Sequence, residues 1–286
     1  TYLPFLMQAL VRTLQQHPGC NALYDDERNV VVQHEALHGH PFAGSFANEV
    51  VGSIPISLRL PFRVYRRSHL RHHACADLTD TTTDPESFYV TAAGWSRATP
   101  VGRAFLLAHH TLPGRMLLGP IVENVSMVRR DVGEIRSGDG RLLRWWTGHL
   151  AAAAFVAWLV VAVAGIPMWV YLLGVYAGNG LSLVRSYLEH RYVDGDATRS
   201  AIVRASLPWR LLFLDNTLHD THHEQPGVPW FRLSALAAEL GSDERAAAGA
   251  GRHRGYGVVF VRHLLRPFDH PVHPRERAAA GVEASA

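Results

Sequence analysis

Between residues 150 and 184 the chain carries no Asp, Glu, Lys or Arg. The run divides into "LAAAAFVAWLVVAVAGI" and "MWVYLLGVYAGNGLSLV", with the break at Ile166-Pro167. Each piece is about 17 residues, close to the shortest helix that spans a bilayer at 1.5 Å per residue. The pattern predicts two membrane helices joined as a hairpin. Arg129, Arg130, Arg136, Arg141 and Arg144 precede it, and Arg185, Arg191, Arg199, Arg204 and Arg210 follow it, while its turn is uncharged. By the positive-inside rule both flanks face the cytoplasm. A hairpin that crosses and returns brings residue 185 back to the side that residue 149 left.

Two weaker apolar stretches precede the hairpin. Residues 42–62 carry Glu49, Arg59 and several prolines and glycines, which suits a re-entrant or interfacial helix pair. Residues 102–125 are amphipathic, with a break expected at Pro113-Gly114. From Gly241 onward the chain is rich in Ala, Gly, Arg and Pro, and "YGVVFV" is its one short apolar piece. A mobile cytoplasmic tail over 241–286 is the expectation. Residues 1–33 form a polar amino-terminal segment without the basic and apolar regions of a signal peptide.

Composition narrows the class. The 286 residues are 48% hydrophobic and 19% charged, below the ~25% charged share usual in soluble domains. The cations are all arginine, and a formal charge of +3 is weak evidence for an anionic partner. No basic run is interleaved with aromatics, so no nucleic acid is expected. Cys20 and Cys75 are too few for a disulfide framework, which suits a reducing compartment.

The anomaly is 18 histidines. Half lie in four clusters: "HEALH" (His34, His38), "HLRHH" (His69, His72, His73), "LEH" (His190) and "HDTHH" (His219, His222, His223). Residues at i, i+3 and i+4 share one side of a helix. Neutral imidazole binds iron, zinc, copper and nickel. Nine rings are too many for one ion and about right for two with open positions, since zinc takes about four ligands and octahedral iron up to six. Histidine-rich sites with open positions beside an apolar interior point to O2 activation, and to iron, more than to hydrolysis.

HxxxH, HxxHH and a second HxxHH, with a membrane hairpin before the last, resemble the membrane fatty acid desaturase family. "SYLEHRY" also resembles the "NYLEH" segment of membrane alkane hydroxylases, with Ser186 in place of Asn, and "NTLHDTHHEQPGVPWFRL" resembles the family's third box. The likeness covers residues 34–233 and departs before His34, where family members carry apolar spans and this chain has "CNALYDDERNVVVQ". The amino-terminal segment is therefore read as incomplete or altered. The resemblance implies an all-α integral membrane helical bundle with a cytoplasmic, histidine-rich di-iron cap over residues 34–240. It implies two Fe ions, O2 as co-substrate, and a lipid or fatty acyl substrate to be desaturated or hydroxylated. It implies electrons from ferredoxin, rubredoxin or cytochrome b5, and residence in a bacterial inner membrane with the site facing the cytoplasm. It assigns metal ligation to His34, His38, His69, His72, His73, His190, His219, His222 and His223.

Bound histidines usually lean on a carboxylate or carbonyl. Glu35, Asp77, Asp80, Glu189, Asp215, Asp220 and Glu224 stand near the boxes, and Asn216 lies one turn before His219. His40 is out of phase with its box, His109 and His110 read as structural, and His270 and His273 as solvated. Trp145, Trp146 and Trp169 read as interfacial anchors. Two rival readings remain. "HEALH" is also HExxH, the signature of a zinc protease with Glu35 as general base, though this leaves two boxes unexplained. A non-enzymatic metal-binding membrane protein is the other.

Overall fold

The computed structural model describes residues 29–280; the polar segment before residue 29, with Cys20, lies outside them. The described chain is mostly helical. α1 (Asn29–Leu37) and α2 (Ser45–Gly52) pack together and precede α3 (Phe62–His73). α4 (Ala92–Arg97), α5 (Pro100–His109) and α6 (Leu112–Arg136) follow. Each of these three starts on a threonine, Thr91, Thr99 or Thr111, whose side chain accepts from a glycine N–H in the first turn.

The break expected at Pro113-Gly114 falls instead at His110-Thr111. Pro113 sits in the first turn of α6, where its missing N–H leaves no bond unmade. Gly114 fits the tight α5–α6 corner, since a Cβ there would lie 1.7 Å from the Ala108 carbonyl oxygen.

α7 (Gly140–Trp158) runs on through a π-helical turn, Leu159–Val163, and α8 (Met168–Ser186) returns. α7 begins ten residues before the expected stretch, because Asp139 caps the N–H groups of Arg141 and Leu142. Among the described residues one helix, Gly140–Val163, is long and apolar enough to cross a membrane. Phe155, Trp158, Val163 and Trp169 are more than half exposed around the turn. The two arms approach each other mainly near the π turn; farther down, each packs on α6. The α6–α8 approach is close, with a Cβ on Gly180 falling 2.5 Å from the Met116 oxygen. Trp145 and Trp146 are not free anchors: both pack on the Leu60, Val64 and Leu142 cluster, and Trp146 donates to Asp131 at 2.9 Å.

The carboxy-terminal third holds β1 (Ile202–Val203), α9 (Leu207–Leu212), α10 (His219–Glu224), α11 (Trp230–Glu239), α12 (Ser242–Ala248), β2 (Arg252–His253), α13 (Tyr256–His263) and α14 (Pro274–Ala280). The expected mobile tail is corrected here. β2 pairs in parallel with β1, and Tyr256 and Val259 enter a core with Leu112, Val184, Tyr187, Leu188 and Phe213. Burying such side chains stabilises by about 1.5–3 kcal/mol each, enough to hold an Ala- and Gly-rich segment on the body. His273, expected in solvent, is 2% exposed and packs between Tyr89 and Tyr192.

Candidate metal centre

Four elements carry the nine histidines. His34 lies on α1 and His38 just past its end, before Gly39 at φ +96°. His69, His72 and His73 form the last turns of α3. His190 follows α8, and His219, His222 and His223 lie on α10. α10 is fixed from outside: the Asp220 N–H donates to the Ala201 carbonyl and the Val203 N–H to that of Thr217. Leu214 and Asp215 take positive φ (46° and 51°) to turn the chain into it, and Asp215 is tied to Arg210. Such backbone strain persists where surrounding structure over-determines it, often at functional sites.

The rings form two groups. His34, His38, His69, His73 and His222 have potential ligand atoms within 4.8 Å of one another; His72, His190, His219 and His223 form the second such set. The spacing explains the division. With 3.6 residues per turn, i and i+4 nearly coincide, whereas i+3 is rotated about 100° from i+4. In α3 the i and i+4 rings, His69 and His73, join the first group and His72 crosses to the second. In α10 the pair His219 and His223 joins the second group and His222 crosses to the first. Each HxxHH box thus contributes rings to both groups.

Hydrogen bonding shows what this arrangement can hold. His72 Nδ1 lies 2.7 Å from Asp84, His219 Nδ1 3.2 Å from Glu189 and 3.1 Å from Asn216 Oδ1, and His190 Nδ1 3.3 Å from the Arg199 carbonyl. Facing acceptors, these Nδ1 atoms carry the protons, so each Nε2 presents a lone pair. Yet His190 Nε2 lies 2.9 Å from His72 Nε2 and 3.0 Å from His219 Nε2. In the first group His73 Nε2 lies 3.0 Å from His69 Nε2 and 3.1 Å from His222 Nε2, with His69 Nδ1 on Glu86 at 3.0 Å. Converging lone pairs repel unless a cation sits among them. The residues present therefore fit a pair of metal ions.

The electrostatics agree. Burial, then neighbouring histidines, lower His38 to about 3, His73 to about 2 and His190 to about 3. The same causes put His34, His219, His222 and His223 well below the ordinary value. His72 alone is raised: against its burial, Glu86 and Asp84 favour the charged form. Neutral imidazole is the ligating form.

The supporting carboxylates differ from those expected. Glu189 does contact a ring, and Arg185 pairs with it. Glu35 stands 3.6 Å from His34 Nδ1. The others are engaged elsewhere: Asp77 with Arg199 and Arg275, Asp80 with Thr82 and Thr83, Asp215 with Arg210, and Asp220 and Glu224 with Arg245. Asp84 and Glu86 were missed. They return to α3 through a loop in which Thr79, at φ +76°, donates its N–H to Asp84. Asn216 joins the two groups, its Nδ2 lying 3.3 Å from His34 Nε2. His40 points away, to the Gly227 carbonyl at 3.0 Å, and His109 and His110 are buried outside both groups.

A mostly helical body enclosing two imidazole groups, with an uncovered apolar hairpin, defines a class of histidine-rich metal-binding proteins. The chain belongs to the fatty acid desaturase family, whose model matches residues 28–255. Membership implies an oxidoreductase of the di-iron desaturase or hydroxylase type. A 38-residue stretch is 50% identical to the lipoamide acyltransferase component of the branched-chain alpha-keto acid dehydrogenase complex of Pseudomonas putida. It covers 13% of this chain and spans only 9% of that relative, too little to carry an argument.

Proposed function

We propose that this protein is a membrane-bound di-iron oxidoreductase that uses O2 and external electrons to desaturate or hydroxylate a fatty acyl or lipid chain. His34, His38, His69, His73 and His222 hold one iron, and His72, His190, His219 and His223 the other. Bound iron supplies O2 reduction and oxidation of an unactivated C–H bond. The chain's own work is to orient and to exclude water. Asp84 and Glu86 hold Nδ1 protons on His72 and His69, and Asn216 Oδ1, with Glu189 beside it, holds that of His219, which fixes those rings with Nε2 inward. The buried setting keeps bulk water from the centre.

The uncovered hairpin anchors the protein in a bacterial inner membrane, with the imidazole groups on the cytoplasmic side, and the bilayer delivers substrate laterally. Electrons come from a soluble or membrane carrier such as ferredoxin, rubredoxin or cytochrome b5. The observation that carries this reading is the facing of Nε2 lone pairs about 3 Å apart in both groups. The test is metal analysis with Mössbauer spectroscopy on detergent-purified protein, followed by lipid profiling of expressing cells. Two coupled irons per chain and an oxidised lipid product are expected. A single zinc per chain overturns the reading.

A further inference from the structure

Resting on the metal-binding role just proposed, we infer that the two centres are unequal: the group of His72, His190, His219 and His223 holds its ion more tightly than the five-histidine group. The difference lies behind the rings. In the four-histidine group His72 Nδ1 hydrogen-bonds the Asp84 carboxylate, 1% exposed, and His219 Nδ1 bonds Asn216 Oδ1 with the Glu189 carboxylate, 10% exposed, 3.2 Å away. A third rests on the Arg199 carbonyl. In the five-histidine group one ring, His69, hydrogen-bonds a carboxylate, Glu86, whose side chain is 31% exposed, and the Glu35 carboxyl stands 3.6 Å from His34 Nδ1, beyond hydrogen-bond distance. Nδ1 of His34 and of His73 is buried with no hydrogen-bond partner among the described residues.

A carboxylate on the far nitrogen raises ligand basicity and locks the ring, and losing one such partner costs about 10–100-fold in metal affinity. The extra ring of the larger group does not reverse this order. His38 lies past the end of α1 and is only half-buried, and His34 Nε2 already faces Asn216.

The test is a chelator titration of the full chain in detergent, loaded anaerobically with Fe(II), with bound metal counted per chain. One equivalent is expected to leave at chelator concentrations at least ~10-fold below those that remove the second. Glu189→Gln is expected to move the late equivalent about 10–100-fold towards the early one without shifting the latter, and Glu86→Gln to move the early equivalent alone. Asp84→Asn reaches the same tight centre from a different element, so a shift shared by Glu189→Gln and Asp84→Asn is not local damage to either segment; thermal melting checks that each folds. Two equivalents leaving together, or Glu189→Gln shifting the early one, overturns the inference and leaves the proposed function standing. A chain that binds no metal overturns both.

Discussion

Phe155, Trp158, Val163 and Trp169 lie uncovered on the hairpin, whereas His34, His72, His219 and His222, each at most 2% exposed, fill the interior. A water-soluble domain does the reverse, burying its apolar chains and hydrating its imidazoles. Each inversion makes sense with a different medium. Lipid accepts the apolar hairpin at no cost in hydration. Cations accept the lone pairs that otherwise face one another inside. The two regions are physically joined: α8 leaves the exposed turn at Met168, becomes buried from Asn179 onward, and delivers Glu189 and His190 to the second imidazole group. One helix therefore ties the uncovered hairpin to the second imidazole group.

The sharpest way to break this comparison is to remove a ring. His72→Ala and His222→Ala take one imidazole from different groups. The effect is expected to exceed the ~10–100-fold affinity cost of losing a supporting carboxylate. Lipid profiling of expressing cells is expected to show no oxidised product in either variant, and metal analysis a lower content. Full turnover in His72→Ala would mean that the buried imidazoles are not there for a metal.

The hairpin offers the complementary test. Phe155→Arg places a charge on an exposed helix face, which in a water-soluble protein changes stability by no more than about 0.5 kcal/mol. In a bilayer an arginine near the helix centre costs about 2.5–3.5 kcal/mol of insertion free energy. Loss of the variant from the membrane fraction is expected; unchanged membrane yield and folding would assign the face to water.

How much of this was readable from residues alone differs between the two regions for a physical reason. The hairpin and the nine histidines obey local rules: an uncharged run for one, i, i+3 and i+4 spacing for the other. Even the sharing of each box between two groups follows from helix geometry. Asp84 and Glu86 obey no such rule, because they reach His72 and His69 through a loop whose path depends on Thr79 at positive φ and on the N–H groups that Asp84 accepts. The carboxy-terminal segment differs from its sequence expectation for a related reason. Its contribution to the core is Tyr256, Val259 and Val272, spread among Ala, Gly and Arg, and its anchor is a two-residue strand whose partner lies some fifty positions upstream. Both are tertiary facts without a periodic trace.

Acid should also separate the regions. In the unfolded chain His38, His73 and His190 titrate near 6.5; in the fold burial and neighbouring imidazoles hold them at about 3, about 2 and about 3. Above pH 6.5 both states are neutral and the rings' contribution is fully present. Below it the unfolded chain takes up protons that the fold refuses, so stability falls with pH, by roughly 1.4 kcal/mol per unit for each such histidine, until the folded values are reached. Melting temperatures of metal-free protein are expected to drop steadily from pH 6.5 to 5, and less steeply in His73→Ala. The hairpin has no titrating group between residues 150 and 184 apart from its tyrosines, so its membrane association should not change across this window. A flat melting profile would contradict the neutral clustering.

The smallest expected effect separates two chemistries at one residue. Glu35 is 6% exposed, and burial raises its carboxyl to about 8, so near pH 7 it is mostly protonated. Glu35→Gln keeps that shape and neutrality. If the HEALH segment serves only to hold His34 and His38 in the five-histidine group, the yield of oxidised lipid should change less than about threefold, well under the 1.36 kcal/mol of a tenfold effect. If the segment is instead the HExxH of a zinc hydrolase, Glu35 is the general base, and its loss should cost about 10²–10⁴-fold in the rate of peptide hydrolysis. Measuring lipid oxidation and peptide hydrolysis on the same Glu35→Gln preparation distinguishes a carboxyl buried as packing from one buried for proton transfer.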